Sequence, residues 1–292
     1  MLWLAARTPK GHNSMTHKLS VVTPCYNSIR YIRNCVESVR YACQGMDYEH
    51  IVVDGLSSDG TVEYLREQSD IRLLSEKDAG MYDALNKGIA MARGEIIGHL
   101  NSDEQYSRRG LLAAWAALDD KDVDAVMSPT VMLNGRLEFM QLFNQVVRPT
   151  VRDVHWHMPV QSCSLLYRRA LWEREPYDTQ YRLIADHVWF RQQMERGLEI
   201  RVEREPIGIF IWHGENLSST QSHLEENALA DIDTKSCLMS LVKHWYRFRK
   251  LCLGGYFRAR LRYEVFGDAG LEKVELFFPK LKVRKFDKTK VS

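Results

Sequence analysis

The stretch "EIIGHLNSDEQY", residues 95–106, decides the reading of this chain. Its first six residues, Glu95 to Leu100, form an apolar run of strand length. The run ends on Asn101, Ser102, Asp103 and Glu104, four oxygen-bearing side chains in a row. Such a cluster is a surface turn, because Asn, Ser and Asp favour turns. It is equally what a cation site needs, because hard cations take carboxylate and amide oxygens. The neighbouring segments decide between the two.

Strand and helix patterns alternate on both sides of that stretch. "KLSVVTP" (18–24), "HIVVDG" (50–55), "IRLLSE" (71–76), "EIIGHL" (95–100) and "VDAVMSP" (123–129) read as strands. Between them, Ile32, Val36 and Val39 mark one face of a helix, and residues 61–68, 81–93 and 111–118 read as three more. This alternation predicts an α/β fold with a mainly parallel sheet flanked by helices. In that architecture ligands bind outside the carboxyl ends of the strands. All four leading strands end in polar groups: Thr23, Tyr26 and Asn27; Asp54, Ser57, Ser58 and Asp59; Glu76, Lys77 and Asp78; and Asn101 to Glu104. The opposite edge is less consistently acidic, so the clusters read as a functional edge.

The second half is less regular. Asn134-Gly135 signals a hairpin. A short helix is expected from Ala170, and another from near Asp186 to Gly197. "EIRVERE" (199–205) and "IGIFIWHG" (207–214) read as strands, and residues 224–250 as a long helical stretch.

A length of 292 residues with 45% hydrophobic content allows a sizeable core in one large domain or two small ones. Six cysteines without C-x-x-C spacing argue against a zinc knuckle, and the absence of a disulfide-like framework suggests a reducing compartment. The opening "MLWLAARTPKGHNSM" has too short an apolar part for a signal or a span and reads as a disordered lead, with Met15 an alternative start. No apolar run reaches spanning length, so an integral membrane protein is not expected. Residues 243–292 carry 14 Lys and Arg against 5 Asp and Glu. With a net charge of +2 overall, this basic tail of about +9 leaves an acidic body of about −7. A basic tail interleaved with Trp245, Tyr246, Phe248, Tyr256 and Phe257 suggests an anionic surface as partner.

Five ordered segments now carry a resemblance: "VVTPCYNS" (21–28), "VVDGLSSDGT" (52–61), "SEKDAGMYDALNKGIAMARGEIIGHLNSDE" (75–104), "LIADHVWFRQQMERG" (183–197) and "HGENLS" (213–218). Together they resemble family 2 glycosyltransferases, the inverting GT-A type, and particularly bacterial members that build polysaccharides. The resemblance implies a GT-A domain over residues 18–220, a disordered lead over 1–17, and a helical, basic extension over 221–292. It implies that Asp103 and His213 hold Mn2+ or Mg2+ and that Asp186 is the catalytic base. Thr23, Tyr26 and Asp54 would form the nucleoside pocket, with Asp78, Asn101 and Ser102 on the rest of the donor. Where many relatives carry Arg, this chain has Leu85, so the diphosphate contact would fall to Lys77 or Lys87.

Each residue also has a plainer reading. Tyr26 could be a core aromatic, Asp54 a turn former and Asp186 a helix cap. Asp83 and Lys87 form an ordinary i, i+4 pair, His213 could be a surface group, and Asp59 could cap the helix that follows. Trp156 is either a platform for sugar or lipid, or core.

The implied activity is metal-dependent, inverting transfer from a nucleotide-sugar, expected to be UDP-linked, to a glycan or lipid-linked glycan. The expected location is cytoplasmic, peripheral on the inner face of the membrane, with no nucleic-acid partner. Two rivals stand beside it. A nucleotidyltransferase would want glycines near the first strand, which "TPCYNSIR" (23–30) lacks. A non-catalytic glycan-binding or scaffolding protein need not have kept Asp103 and Asp186.

Overall fold

The structure is a computed structural model that describes residues 18–143, 147–214 and 260–277, with the single positions 216, 226, 230, 244, 245 and 248. The expected lead over 1–17 lies outside the described residues, as does nearly all of the expected helix over 224–250.

The first half alternates as expected. β1 (Leu19–Cys25) leads through α1 (Ile29–Ala42) to β2 (Tyr48–Asp54). α2 (Thr61–Arg66), β3 (Ile71–Ser75), α3 (Met81–Met91) and β4 (Ile96–His99) follow. Next come β5 (Glu104–Tyr106), α4 (Arg108–Ala117), β6 (Ala125–Met127), β7 (Thr130–Asn134) and β8 (Phe139–Phe143). The remainder comprises α5 (Val151–Val154), a 3-10 turn (Ser162–Ser164), β9 (Leu165–Arg168), α6 (Arg169–Arg174), α7 (Ala185–Glu195), β10 (Ile200–Val202) and β11 (Gly208–Trp212). It closes with β12 (Arg260–Gly267) and β13 (Gly270–Phe277).

Seven strands form the main sheet in the order β10-β6-β9-β4-β1-β2-β3. All pairings are parallel except those of β9, which runs antiparallel to both β4 and β6. The strands read as unbroken apolar runs because both faces are covered. Successive residues feed opposite cores, as the two-residue period demands. Val22, Ile51, Val53 and Ile97 pack with Tyr82, Leu85 and Ile89 of α3. Val21, Val52 and Ile96 pack on the other side with Ile32, Val36 and Val39 of α1. Helix α3 lies directly on the strands at Gly88, where a β-carbon would stand 2.4 Å from Val22 Cγ1. Only a residue without that carbon permits so close an approach.

Arg168 and Arg169 close helix ends. The Arg168 guanidinium donates to the carbonyls of Leu118, Asp120 and Val123 beyond α4, and Arg169 Nη1 donates to that of Ala92 at the end of α3. Cations suit these positions, where carbonyls are left without helical partners.

A second sheet, β5-β11-β7-β8, adjoins the first. On it lies the described part of the C-terminal extension, and here the expectation of helix needs correcting: residues 260–277 form an antiparallel hairpin. Alternate residues Leu261, Tyr263 and Val265 face inward onto Val131, Leu133 and Ile209. The Gln105 carboxamide bonds both the N–H and the carbonyl of Phe266 at 2.7 and 2.8 Å. The alternation in "RLRYEVFG" is a strand pattern, which the density of charge in the tail obscures.

Asn86 ties α3 to the segment after α6. Its Oδ1 accepts from Trp172 Nε1 at 2.8 Å and from the Tyr177 N–H at 3.1 Å, and its Nδ2 donates to the Tyr177 carbonyl at 2.8 Å. Asn86→Ala strands an indole N–H and a backbone N–H. We expect a loss of about 2–4 kcal/mol, since each stranded buried group costs about 1–3 kcal/mol. Urea unfolding would show it as a lower midpoint at unchanged slope.

Candidate active site

β1 pairs with β2 on one side and β4 on the other. The chain therefore leaves the sheet in opposite directions from these neighbours, and a crevice opens at their carboxyl ends. A cavity of about 720 Å3 occupies it. Residues 24–28, Asp78, 80–82 and 101–103 form one side, and residues 156–158, 160–162, Asp186, His187, Phe210, His213 and Asn216 contribute the other.

The loop after β4 brings Asp103 to the cavity. His213, at the end of β11, donates from Nε2 to Asp103 Oδ2 at 2.8 Å. Asn216 Nδ2 donates to the same oxygen at 3.1 Å, and Asn216 Oδ1 accepts from the His213 N–H at 3.1 Å. Tyr31 of α1 stacks on the imidazole, centroids 4.5 Å apart and planes at 19°. A carboxylate and an imidazole thus meet at one point, a donor pair that fits a divalent cation such as Mn2+. Among the described residues no group of three His, Cys, Asp or Glu gathers as a metal cluster. Two protein ligands would therefore leave the other positions to oxygens of the substrate or water.

Glu104 turns away from the cavity. It is 2% exposed, and its Oε2 accepts the Asn101 N–H at 2.9 Å, fixing the loop. Burial, and then the neighbouring Asp103, push its carboxyl up to about 8, so it keeps its proton near neutrality. Asn101 lines the cavity with its Oδ1 bonded to His99 Nε2 at 2.9 Å, and Ser102 Oγ donates to Ser28 Oγ.

At the expected nucleoside end, the structure separates wall from foundation. Tyr26 and Asp78 line the cavity, and the Tyr26 ring is 65% exposed, which excludes the core reading. Thr23 and Asp54 are wholly buried and do not line it. Thr23 Oγ1 bonds His50 Nε2 at 3.0 Å. Asp54 accepts from the N–H groups of Leu56 and Ser57 and from the hydroxyls of Ser57 and Ser75. These bonds hold a turn in which Leu56 takes φ +65°. Asp59 accepts from the N–H groups of Ile29 and Thr61, at the starts of α1 and α2. Lys77 and Lys87 also stand off the cavity, for Lys87 pairs with Glu76 at 3.0 Å and Asp83 at 3.2 Å and donates to the Lys77 carbonyl. Among the described residues, no Lys or Arg lines the cavity.

Asp186 faces this crevice from the first turn of α7. The cap position belongs to Ile184, so Asp186 is inside the helix rather than its cap. Its Oδ1 accepts from Tyr82 Oη and from the His187 N–H, both at 2.8 Å, and its Oδ2 accepts from Ser162 Oγ at 2.5 Å. Nearby, Trp156 lines the cavity with its ring stacked on His157, centroids 3.6 Å apart. Tyr31, Tyr82, Ser162 and Asn216 were not singled out from the sequence. Asn216 alone had a local signal, three residues past His213 at a strand end.

Comparison with known proteins gives the family and the fold. The sequence profile described as "Glycosyl transferase family 2" matches residues 20–175. An uncharacterized glycosyltransferase of Mycobacterium tuberculosis is 38% identical over 97 residues, 32% of this chain and 37% of that protein. The chain thus spans little more than a third of that relative. Among solved structures, S. aureus TarS 1–349 in complex with UDP-GlcNAc superposes with a TM-score of 0.55 at 21% identity, over 81% of this chain and 73% of that one. The mannosyltransferase PcManGT from Pyrobaculum calidifontis, in complex with GDP-Man and Mn2+, gives 0.56 at 20% identity, over 81% and 70%. Both likenesses establish the GT-A fold.

His50 beneath the pocket yields a stability prediction. Burial holds its imidazole down to about 4, against an ordinary 6.5. The unfolded chain therefore binds a proton between these values that the folded chain refuses, so stability falls as pH drops from 6.5 towards 4. The slope from this one group is at most about 1.4 kcal/mol per pH unit. Urea unfolding at pH 7 and pH 5 should show a smaller drop in His50→Gln than in the unmutated chain.

Proposed function

The chain belongs to glycosyl transferase family 2, and from that premise we propose that it moves a sugar from a nucleotide-sugar to a hydroxyl of a glycan or lipid-linked glycan, inverting the anomeric carbon. One observation carries the reading: Asp103 with His213, and Asp186 with Tyr82 and Ser162, are two separate carboxylate centres in one cavity. Transfer needs one centre for the departing diphosphate and one for the attacking hydroxyl.

Asp103 and His213 would hold Mn2+ or Mg2+, which when bound neutralises charge on the leaving diphosphate. A cavity lined by Asp78, Asp103 and Asp186, with no Lys or Arg among the described residues, gives a diphosphate little other relief. Tyr26 offers an exposed ring to the base, and Asp78, Asn101 and Ser102 offer polar groups to the ribose and sugar. We assign a UDP-linked donor by likeness to TarS, which is solved with UDP-GlcNAc. Asp186 takes the proton of the acceptor hydroxyl as its oxygen attacks from the face opposite the diphosphate, which inverts the centre.

The tail supports a further part of the proposal, attachment to the cytoplasmic face of an anionic membrane. Trp245 and Phe248 are 60% and 54% exposed and stack with centroids 5.7 Å apart. Lys243, Arg247, Arg249 and Lys250 surround them in sequence. Aromatics settle at headgroup level and each basic residue adds about 1 kcal/mol near an anionic surface. No helix among the described residues is long and apolar enough to cross a membrane.

A thermal-shift and hydrolysis screen of nucleotide-sugars, with and without Mn2+, tests the donor reading. A UDP-sugar should stabilise the chain only with the cation present, and a blank screen in both readouts would refute it. Asp103→Ala should stay folded, lose the cation-dependent stabilisation, and lose several kcal/mol of transition-state stabilisation. Asp186→Asn should bind donor normally yet turn over about 10²–10⁴-fold more slowly. An equal fall in donor affinity would move Asp186 to the donor side. Anionic vesicles should sediment the full chain in a salt-sensitive way and fail to sediment one in which Lys243, Arg247, Arg249 and Lys250 are changed to Gln.

A further inference from the structure

Two hydroxyls close on the Asp186 carboxylate from elements far apart in sequence. Tyr82 is in the first turn of α3, 104 residues earlier, and Ser162 opens the 3-10 turn before β9. We propose that Tyr82 and Ser162 are positioning residues for Asp186, and that they single out Oδ2 as the atom that receives the acceptor's proton. The proposal rests on the reading of Asp186 as the base.

The assignment follows from counting acceptor sites. An ionised carboxylate offers about four. Oδ1 uses two, for Tyr82 Oη and the His187 N–H, both at 2.8 Å. Oδ2 uses one, for Ser162 Oγ at 2.5 Å. Among the described residues the remaining site is on Oδ2, in a residue that lines the cavity. A proton leaving the acceptor oxygen can form its new bond there without displacing either Oδ1 bond. Asp186 then becomes a neutral acid, still held by all three donors.

The Tyr82 hydroxyl serves this carboxylate as a donor, Asp186 Oδ1 at 2.8 Å being a nearer acceptor than the Leu183 carbonyl at 3.3 Å. Burial, with Asp186 beside it, raises its phenol far above the ordinary tyrosine range, so it stays protonated. Its ring is 2% exposed and packs against Tyr177, centroids 5.6 Å apart. Tyr177 is held in turn by Tyr167 Oη at 3.0 Å and by the Trp189 ring. Tyr82 therefore has no room to swing, and the carboxylate plane is set by a rigid group. The same first turn begins at Gly80, whose N–H bonds Asp78 Oδ1 at 2.9 Å. One turn of helix thus joins the expected donor loop to the base.

The other groups that act on Asp186 come from several elements. Tyr177 follows α6, His99 ends β4, and His187 is its neighbour on α7, while Glu226 acts on Tyr82. None of them changes in the variants below.

The test uses the full chain labelled with carbon-13 at aspartate Cγ, the Asp186 signal being the one lost in Asp186→Asn. A donor hydrogen bond favours the ionised form, so removing one makes the carboxylate easier to protonate. Tyr82→Phe keeps the ring and loses the hydroxyl. It should move the midpoint of the Asp186 titration upward by about one pH unit relative to the unmutated chain. Ser162→Ala should do the same, and Ser162→Thr should restore the original midpoint. Should Tyr82→Phe fail to fold, the Ser162 pair decides. Midpoints that stay put in folded Tyr82→Phe and Ser162→Ala overturn the proposal, even with Asp186→Asn inactive. Normal turnover in Asp186→Asn overturns instead the base reading on which it stands.

Discussion

The parallel pairing of β1 with β4 is the constraint on which the site depends. Val22 stands opposite His99 in that pairing, and both strands point their carboxyl ends the same way. Parallel neighbours cannot be joined by a tight turn. Between them the chain lays down β2 and β3 on the far side of β1, linked by three helices, and only then returns. The loops after β1 and β4 are thereby freed from connecting each other. They diverge, and the polar groups between them face a cavity instead of a strand partner.

That cavity is short of positive charge. Asp78, Asp103 and Asp186 line it, no Lys or Arg among the described residues does, and Lys87 is held by Glu76 and Asp83. Glu104 would add a fourth anion beside Asp103, but burial keeps it protonated near neutrality. The N-terminus of α7 brings a partial positive charge to Asp186. Asp103 is instead balanced locally by the hydrogen bonds of His213 and Asn216. The two carboxylates are thus stabilised by independent means, in keeping with the separate roles proposed for them.

What the sequence disclosed was local. Apolar runs and helical periods located β1 to β4 and α1 to α4, because each is written in consecutive residues. The pairing of Asp103 with His213 joins positions 110 residues apart, which no spacing rule reaches and only the family resemblance had brought together. Thr23 and Asp54 show the limit of reading strand ends as surfaces. Both stand at the right edge, yet their side chains turn into the sheet and bond His50 and the turn after β2. Strand β9 escaped notice because it has four residues between a 3-10 turn and a helix. In the hairpin over 260–277 a clear two-residue alternation is hidden by the density of charge.

Helix α3 shows why the string "MYDALNKG" (81–88) has the form it does. Gly88 lets the helix rest on β1 and β2. Tyr82 and Asn86, four residues apart, share a face. That face meets the second half of the chain at two points, Asp186 and the backbone of Tyr177. Asp83 and Lys87, one position on from each, pair on the neighbouring stripe. A salt bridge at i, i+4 stabilises a helix by only a few tenths of a kcal/mol, so it cannot be what holds α3 in place. The close seat at Gly88 and the two polar ties do that. By them, the half of the molecule that presents Tyr26, Asp78 and Asp103 is held in register with the half that presents Asp186. A shift of α3 by one residue would rotate Tyr82 by about 100° and take its hydroxyl from the carboxylate. Helix α3 thus ties Asp186, on α7, to the half of the sheet that begins with β1 and β2.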